Sequence, residues 1–555
     1  MLSVTPLLLS LGQLDENVRA VAPRADAASA SLWRRDASLW SADPDVQKKI
    51  ANRLGWLDSP QLMADSIDRL TSFAAGIRDA AFTDVVLLGM GGSSLAPEVL
   101  RRIVGVSSGW PRFHMLDSTD PEAVRDAATP PKTTLYILAS KSGGTIEPNS
   151  LAAHFRARLE AAGVANWAEH FIAITDEGTV LATRARQERF RDVFINPSDI
   201  GGRYSALSFF GMVPSALMGQ DVLALVSRGQ AMLAAAKATS SSLENPAVAL
   251  GLTMAIAAKN GRDKLTLLLP DRFASFGLWV EQLVAESTGK NGVGIVPIAG
   301  EPAAPASVYG DDRLFVDAGA HGQGTLGPTV SIDWKEPVEL GAEFMRWEIA
   351  TAVAGALLGI NPFDEPNVQQ AKDATNTLLA AFKSNGALPS APPELTLGNG
   401  VELTTSAAAK AALDGRKATS LLSLLRAGDY FAQLAYVSPS SDVLDELERL
   451  RKTVRDRTHV TTTTGVGPRY LHSTGQLHKG GPNNGVFLLI STEAANDVAI
   501  PGQTYSFAIL EHAQALGDFA SLDAAGRRAV HAHLPAADAA SVRALANEFI
   551  AAMSA

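Results

Sequence analysis

Short apolar runs alternate with amphipathic segments through the middle of the chain. Runs of strand length stand at 84–89 ("DVVLLG"), 133–140 ("TTLYILAS") and 170–175 ("HFIAIT"), and segments of helical periodicity such as "IEPNSLAAHFRARLEAAG" lie between them. Continuous apolar runs of this length indicate buried strands, and strands that alternate with helices are typical of a parallel sheet covered on both faces. The pattern therefore predicts an α/β fold with mainly parallel, doubly wound sheets.

The same pattern divides the chain into regions. The first 75 residues carry amphipathic helical spacing, with Asp or Ser at the helix starts, and the strand–helix alternation follows. A stretch rich in Gly, Pro and Ser, "KSNGALPSAPPELTLGNG", predicts a linker ahead of a further α/β region. The predicted order is an N-terminal helical segment, two α/β domains, the linker and a C-terminal α/β domain, at 1–75, 76–215, 216–382, 383–400 and 401–555.

Composition and charge narrow the class of protein. The chain has 555 residues and a formal net charge of -10, which does not favour a nucleic-acid partner. It has no cysteine and therefore no disulfide bonds, which fits a reducing compartment. The N-terminal "MLSVTPLLLSLG" lacks the basic residue that opens a secretory signal, and no apolar run reaches membrane-spanning length. We expect a cytoplasmic protein without a membrane partner.

Two glycine-rich loops stand at the ends of predicted strands. "GMGGSS" at 89–94 and "SKSGGT" at 140–145 each follow an apolar run and precede a helix. Backbone N–H groups and hydroxyls at a helix start suit the oxygens of a phosphate, although each loop alone also fits a tight turn or an ordinary N-cap. Ser94 stands where the dinucleotide fingerprint requires glycine, and the Walker lysine is absent, so a nucleotide is not predicted. Because both loops should lie at the carboxyl edge of one sheet, together they predict an anion site.

Later segments carry candidates for acid–base chemistry. Arg203 follows two glycines in "GGRYS", and a guanidinium placed by such a turn can neutralise a developing oxyanion. Gln282 and Glu286 are four residues apart on one predicted helix face, which makes Glu286 a candidate base. Lys372 lies early in a helix, and "RYLHSTGQLHKGGPNNG" holds two histidines whose spacing is a poor zinc signature, so we expect no metal site. Each residue alone also fits a solvated surface position.

Five motifs, taken in order, resemble those of the phosphoglucose isomerase family: "GMGGSS", "SKSGGT", "GGRYS", "ESTGK" and "NPFDEPNVQQAK". The resemblance covers roughly residues 75–380 as two sugar isomerase (SIS) domains. Residues 31–57 and the tail around "RYLHSTGQLHKGGPNNGVFLLI" resemble a subgroup in which the isomerase is the carboxyl half of a bifunctional transaldolase/glucose-6-phosphate isomerase. The chain then corresponds to a stand-alone member of that subgroup or to its isomerase portion.

The resemblance implies a function. A member of this family interconverts glucose 6-phosphate and fructose 6-phosphate through a cis-enediol, without a cofactor. The small-molecule partner is then a sugar phosphate, and the expected assembly is a homodimer, with a functional association with a transaldolase. Two alternatives stay open: a dual phosphoglucose/phosphomannose isomerase and a non-catalytic SIS protein that senses a sugar phosphate. The sensor would need a phosphate cradle but no acid–base set.

The resemblance also implies roles for individual residues. Those expected to bind the substrate lie in the two loops and on the later helix: Gly92, Ser93, Ser140, Lys141, Ser142, Thr145 and Gln282. Those expected to act in catalysis are the base, the enediolate stabiliser and a lysine near the sugar ring oxygen: Glu286, Arg203 and Lys372.

Two positions depart from the family pattern. Glu365 stands seven residues before Lys372, where the family has Gln, and a carboxylate there would reshape the ring-oxygen site. The family's ring-opening histidine, expected in an Asn-Gly-Gln-His context after Glu286, is missing, and His321 lacks that context. We therefore expect His478 of the C-terminal domain to open the ring, in its own or in a second subunit.

Overall fold

The structure is a computed structural model of the chain and describes Leu2 and residues 4–320, 326–389, 392–438 and 440–553. It contains three sheets flanked by helices, and most strand pairs are parallel. The predicted α/β architecture is confirmed. Among these residues, none of the helices combines the length and the hydropathy that a membrane crossing requires. His321 lies outside the described residues.

The N-terminal segment is mostly helical but begins with a strand. Its elements are β1 (Leu7–Ser10), α1 (Leu14–Trp33), α2 (Pro44–Ala51), α3 (Ser59–Asp65) and α4 (Ile67–Asp79). β1 pairs antiparallel with Thr329–Ile332 of the second sheet. The sequence pattern assigned this stretch to the helical segment, because an apolar run of a few residues has no periodicity that separates strand from helix.

The first sheet region is a five-stranded parallel sheet. Its elements are β2 (Asp84–Leu88), α5 (Leu95–Ile103), β3 (Arg112–Leu116), α6 (Pro121–Asp126), β4 (Thr134–Ala139), α7 (Ile146–Ala161), β5 (Phe171–Asp176), α8 (Val180–Gln187), β6 (Asp192–Asn196) and α9 (Phe209–Leu217). The strand order is β3-β2-β4-β5-β6. β2, β4 and β5 are buried at every residue, because helices cover both faces, and this burial explains their continuous apolar runs.

The second sheet region follows without a break. Its elements are α10 (Val222–Ala238), α11 (Val248–Lys259), β7 (Lys264–Leu268), α12 (Phe276–Thr288), β8 (Val296–Ile298), β9 (Arg313–Asp317), β10 (Thr329–Ile332), α13 (Leu340–Leu358) and α14 (Pro366–Asn385). The strand order is β1-β10-β9-β7-β8, antiparallel at β1 and parallel elsewhere. α13 is buried along most of its length because it packs between α10, α11 and α12.

The C-terminal domain has a six-stranded mixed sheet. Its elements are β11 (Leu395–Thr396), β12 (Glu402–Thr405), α15 (Ala407–Leu413), β13 (Tyr430–Ala435), α16 (Ser441–Thr458), β14 (Thr461–Val466), α17 (Gly475–Gly480), β15 (Gly485–Thr492), α18 (Phe507–Ala524), β16 (Arg528–Leu534) and α19 (Ala539–Ala552). The order is β11-β12-β16-β15-β13-β14, with β11 and β12 antiparallel. The stretch expected to be a linker, 383–400, includes the end of α14 and β11, and 390–391 lie outside the described residues.

The C-terminal domain packs against both sheet regions. It has an apolar core of its own. In addition, Phe507 and Leu510 of α18 share a core with Val86 and Tyr136 of the first sheet. β8 of the second sheet shares a further core with β13 and β15. This docking brings the loop between β14 and α17 to the carboxyl edge of the first sheet.

Candidate active site

The carboxyl ends of the first sheet's strands open into a cavity of about 510 Å³. The loops after β2 and β4, the turn after β6, and helices α12 and α14 contribute to its walls. Ten of the eleven predicted site residues line it: Gly92, Ser93, Ser140, Lys141, Ser142, Thr145, Arg203, Gln282, Glu286 and Lys372. The fold therefore brings together residues that are far apart in the sequence.

Two glycines bring the loop after β2 into contact with its neighbours. Gly91 has a φ of +55°, and a Cβ atom on it would lie 2.9 Å from Gln282 Nε2. A Cβ atom on Gly92 would lie 2.1 Å from the carbonyl oxygen of Gly202. The loop thus packs backbone to backbone against the turn that carries Arg203, and a side chain at Gly92 would force the two apart.

The loop after β4 gathers its polar groups at the start of α7. Ser140 Oγ lies 3.0 Å from Thr145 Oγ1 and accepts a hydrogen bond from Gly143 N at 3.1 Å. Gly143 has a φ of +72°, a conformation that glycine adopts without strain, and this lets the loop fold back. Thr145 precedes α7, yet within the described part of the chain its hydroxyl makes no capping bond. The ordinary N-cap alternative for this residue therefore fails, and the hydroxyl is available to the cavity.

Lys141 is anchored at the cavity wall. Its ammonium forms an ion pair with Asp176 at the end of β5 and donates to the carbonyl oxygen of Ser198 at 3.0 Å. Burial raises the pKa of Asp176, and the adjacent Lys141 partly opposes this rise. The cation is thus fixed in place, with its charge partly offset before any anion enters.

Glu286 is a buried carboxylate near the end of α12, with 7% of its surface exposed. Its Oε1 lies 3.1 Å from Arg203 Nη1, and its Oε2 accepts a hydrogen bond from Gln282 Nε2 at 3.2 Å. Burial raises the pKa of Glu286, the positive charge of Arg203 opposes the rise, and the negative charge of Glu365 adds to it. A carboxylate with a raised pKa is suited to proton transfer near neutral pH.

Arg203 is held in one orientation. Its Nη2 donates to the carbonyl oxygens of Pro362 and Asp364, each at 3.1 Å. Its Nη1 lies within 3.1 Å of Glu286 and 3.0 Å of Glu365, so that one nitrogen bridges two carboxylates. Although burial disfavours the charged form, these carboxylates outweigh it and raise the pKa of Arg203. The guanidinium is therefore a permanent, fixed cation beside the candidate base.

His472 enters the cavity from the C-terminal domain. It ends a 3-10 turn, Arg469–His472, between β14 and α17. Its Nε2 lies 2.9 Å from Glu147 Oε1, and its carbonyl oxygen accepts a hydrogen bond from Gln282 Nε2 at 2.8 Å. Burial acts to raise the pKa of Glu147, but His472, a backbone N–H group and the charge of Lys372 together lower it. The buried carboxylate of Glu147 thus fixes the orientation of the His472 imidazole.

His478 does not reach the cavity, and this corrects the expectation that it would serve the site. It lies on α17, buried among aromatic rings of the C-terminal sheet, and its Nδ1 is 3.1 Å from the Tyr430 hydroxyl. Burial lowers the pKa of His478 to about 3. The position expected of His478 is occupied by His472, six residues earlier. Within the described ranges, no three His, Asp or Glu side chains lie together as metal ligands would.

Sequence reasoning missed His472 and Glu147 as a pair. The segment containing both histidines was identified, but the choice between them depends on which one faces the first sheet. Glu147 lies two residues after Thr145 in the first turn of α7. A carboxylate so close to a loop predicted to bind an anion is electrostatically unfavourable unless a cation or a proton donor faces it. Its presence in the sequence was therefore the signal that Glu147 has such a partner.

Comparison with known proteins agrees with this geometry. The family model described as phosphoglucose isomerase matches residues 49–310. The glucose-6-phosphate isomerase of Synechococcus sp. (strain CC9902) is 28% identical over 446 residues, which cover 68% of this chain and 82% of the relative. That of Synechococcus sp. (strain CC9605) is 28% identical over 462 residues, covering 70% and 86%. Over this region the chain is similar to the phosphoglucose isomerase family.

A solved structure of the same kind supports the fold. The crystal structure of a glucose-6-phosphate isomerase from Chlamydia trachomatis aligns with a TM-score of 0.54 and 19% identity, covering 69% of this chain and 90% of that one. The family match contains both loops, Arg203 and Glu286, whereas His472 lies beyond it. The phosphoglucose isomerase pattern thus covers one part of the cavity, and the C-terminal domain supplies another.

Proposed function

We propose that this chain interconverts glucose 6-phosphate and fructose 6-phosphate. The proposal is carried by the position of Glu286 and Arg203, 3.1 Å apart and buried, in the same cavity as the loop at 140–145. A base and a fixed cation beside an anion site are what a proton transfer between adjacent carbons of a sugar phosphate requires. The names of the relatives agree with this reaction.

The loop at 140–145 is proposed to hold the phosphate. Its hydroxyls and the N–H groups at the start of α7 are donors suited to phosphate oxygens, and the helix dipole adds a favourable potential. Lys141 adds a positive charge at the wall. Because the phosphate is held away from Glu286, its binding energy serves to orient the reacting carbons.

Ring opening is assigned to His472 and Lys372. Opening the cyclic sugar requires one group to donate a proton to the ring oxygen while another takes the proton of the anomeric hydroxyl. Both side chains line the cavity next to Ser142 and Thr145. Because His472 Nε2 is engaged by Glu147, proton exchange with the sugar falls to Nδ1.

Isomerisation is assigned to Glu286. It takes the proton from carbon 2 of the open-chain aldose, the electron pair forms a double bond between carbons 1 and 2, and the carbonyl oxygen becomes an enediolate. Arg203 stabilises that negative charge. A proton moves from oxygen 2 to oxygen 1, Glu286 returns its proton to carbon 1, and the carbonyl now stands at carbon 2.

The test is turnover of fructose 6-phosphate by the purified chain, without added metal and with a chelator control. We expect conversion to glucose 6-phosphate that the chelator does not change. Mannose 6-phosphate, which differs from the glucose epimer at carbon 2, is assayed in parallel, and equal turnover would extend the substrate range. If fructose 6-phosphate is bound but not turned over, the chain is a sensor and the proposal fails.

Three further expectations remain part of this proposal: a cytoplasmic location, a homodimer, and association with a transaldolase. They come from composition or from the resemblance. Light scattering of the eluting protein tests the dimer, and co-purification with a transaldolase from the source cell tests the association. A monomer, or no transaldolase in the eluate, would contradict them.

A further inference from the structure

The most informative feature outside the family match is how the C-terminal domain reaches the active site. We infer that His472 acts in the active site of its own chain, because the C-terminal domain docks on the first sheet of the same chain and places His472 there, with Arg469 and Gln514 as positioning residues. The sequence left open whether the ring-opening histidine serves its own or a second subunit, and the inference assigns His472 to its own. It rests on the proposed function.

Arg469 anchors the turn that carries His472. Its Nε and Nη2 donate to the two carboxylate oxygens of Asp117 at 2.8 and 2.7 Å. Asp117 directly follows β3 and is 3% exposed. A bidentate pair of this kind fixes direction as well as distance. The anchor lies three residues from the imidazole, so the turn has little freedom to move independently of the first sheet.

Gln514 holds the carboxylate that orients His472. Its Nε2 donates to Glu147 Oε1 at 2.8 Å, and its own Oε1 accepts from Thr119 Oγ1 at 2.8 Å. Glu147 Oε1 therefore meets two side chains of the C-terminal domain, from α18 and from the turn before α17. The three hydrogen bonds form a chain that crosses between the first sheet region and the C-terminal domain at each step: Thr119, Gln514, Glu147 and His472. Loss of one member of such a network weakens the others.

The backbone of the turn is also enclosed. The carbonyl oxygen of His472 accepts from Gln282 on the helix that carries the base, and a Cβ atom on Gly91 would lie 2.9 Å from that oxygen. On the far side, Gln476 Nε2 donates to the carbonyl oxygen of Gly289 at 3.0 Å. The segment is thus held by the first loop, by α12 and by the residues after α12, all in the same chain.

The connection between the domains favours docking within one chain. α14 carries Lys372 of the cavity and continues into the C-terminal domain. Asn367 at its start bonds Gln476 through both its backbone N–H, at 2.8 Å, and its side chain, at 2.7 Å. Further along, Leu379 packs into the core that α18 shares with the first sheet. The helix that leads to the domain is therefore itself part of the docking surface.

Complementation between two inactive variants tests the inference. Glu286→Gln and His472→Ala chains, carrying different tags, are co-expressed, and mixed assemblies are isolated through both tags. If His472 serves the site of its own chain, every site carries one lesion. Activity on fructose 6-phosphate then does not exceed that of the two variants alone. If the chain is a monomer and no assembly carries both tags, turnover by the wild-type monomer supports the inference.

Shared sites would give a different result. In a mixed dimer, one site would carry both lesions and the other neither, so the isolated mixed dimer would recover about half of wild-type activity and a random mixture about a quarter. Either recovery overturns the inference. It would leave the proposed function intact, since the assay itself depends on isomerase turnover. Absence of turnover in the wild-type chain would instead remove the proposed function.

Arg469→Gln tests the positioning role. Misplacing the imidazole should lower kcat on fructose 6-phosphate by about 10²-fold, while KM, which reports mainly the phosphate loop, stays within about twofold. Arg469→Lys keeps the charge and should restore part of kcat. An Arg469→Gln variant with wild-type kcat overturns the positioning role of Arg469. So does a variant that loses both kcat and phosphate binding when Arg469→Lys restores neither.

Discussion

Glu286→Gln is the sharpest perturbation of the site. It removes the proposed base and keeps the side-chain size, so that the cavity remains. An amide oxygen can still face Arg203 Nη1, 3.1 Å away, but the amide N–H group would then face the Gln282 Nε2 donor, 3.2 Å away. Gln282 cannot turn without losing its bond to the carbonyl oxygen of His472. One hydrogen bond, worth about 1 kcal/mol, is therefore lost.

The expected effect on rate is larger than the effect on stability. General acid–base catalysis contributes about 10²–10⁴-fold, which corresponds to about 2.7–5.5 kcal/mol of activation free energy. Among the described residues Glu286 is bonded to Gln282 and Arg203 and not to the loop at 140–145, so affinity for the phosphate group should persist. We expect kcat to fall by at least about 10²-fold, with little change in the dissociation constant for fructose 6-phosphate.

The measurement is a coupled assay of fructose 6-phosphate conversion, together with calorimetric titration of the variant with the same sugar. Glu281→Gln is the matched control, since Glu281 lies on the same helix but faces Ala299 N at 3.3 Å, away from the cavity. It should retain wild-type kcat. A Glu286→Gln chain within about tenfold of the wild-type rate would refute the role of Glu286.

Three further predictions concern the same cavity. Glu365→Gln removes a negative charge that, together with burial, raises the pKa of Glu286. Because Glu286 then stays deprotonated at lower pH, the acid limb of the kcat/KM profile should move to lower pH. An unchanged acid limb would contradict this. Lys141→Met should raise KM for fructose 6-phosphate by about tenfold or more and affect kcat less, because a charge-assisted hydrogen bond contributes about 1.5–3 kcal/mol. An unchanged KM would show that Lys141 does not bind the phosphate. Gly92→Ala places a Cβ atom 2.1 Å from the carbonyl oxygen of Gly202, so activity should be lost and the melting temperature lowered, and an active, equally stable variant would show that the two loops can separate.

The sequence by itself determined the features that depend on local spacing. Loops that follow apolar runs predict the strand ends, and Gly91 and Gly143 adopt the left-handed backbone that such turns require. Gln282 and Glu286 share a helix face because they are four residues apart, and this holds wherever the helix lies. Spacing placed the two loops and the Gln282–Glu286 pair, whereas the expectation that ten residues form one site came from the family resemblance.

Tertiary structure decided the features that join distant parts of the chain. His472 and Glu147 are 325 residues apart, and only the docking of the C-terminal domain shows that His472 faces the cavity while His478 packs into its own domain's core. The bridge from Glu286 through Arg203 to Glu365 likewise joins three segments. Periodicity describes one element at a time, whereas these contacts depend on how elements with separate apolar faces pack against one another.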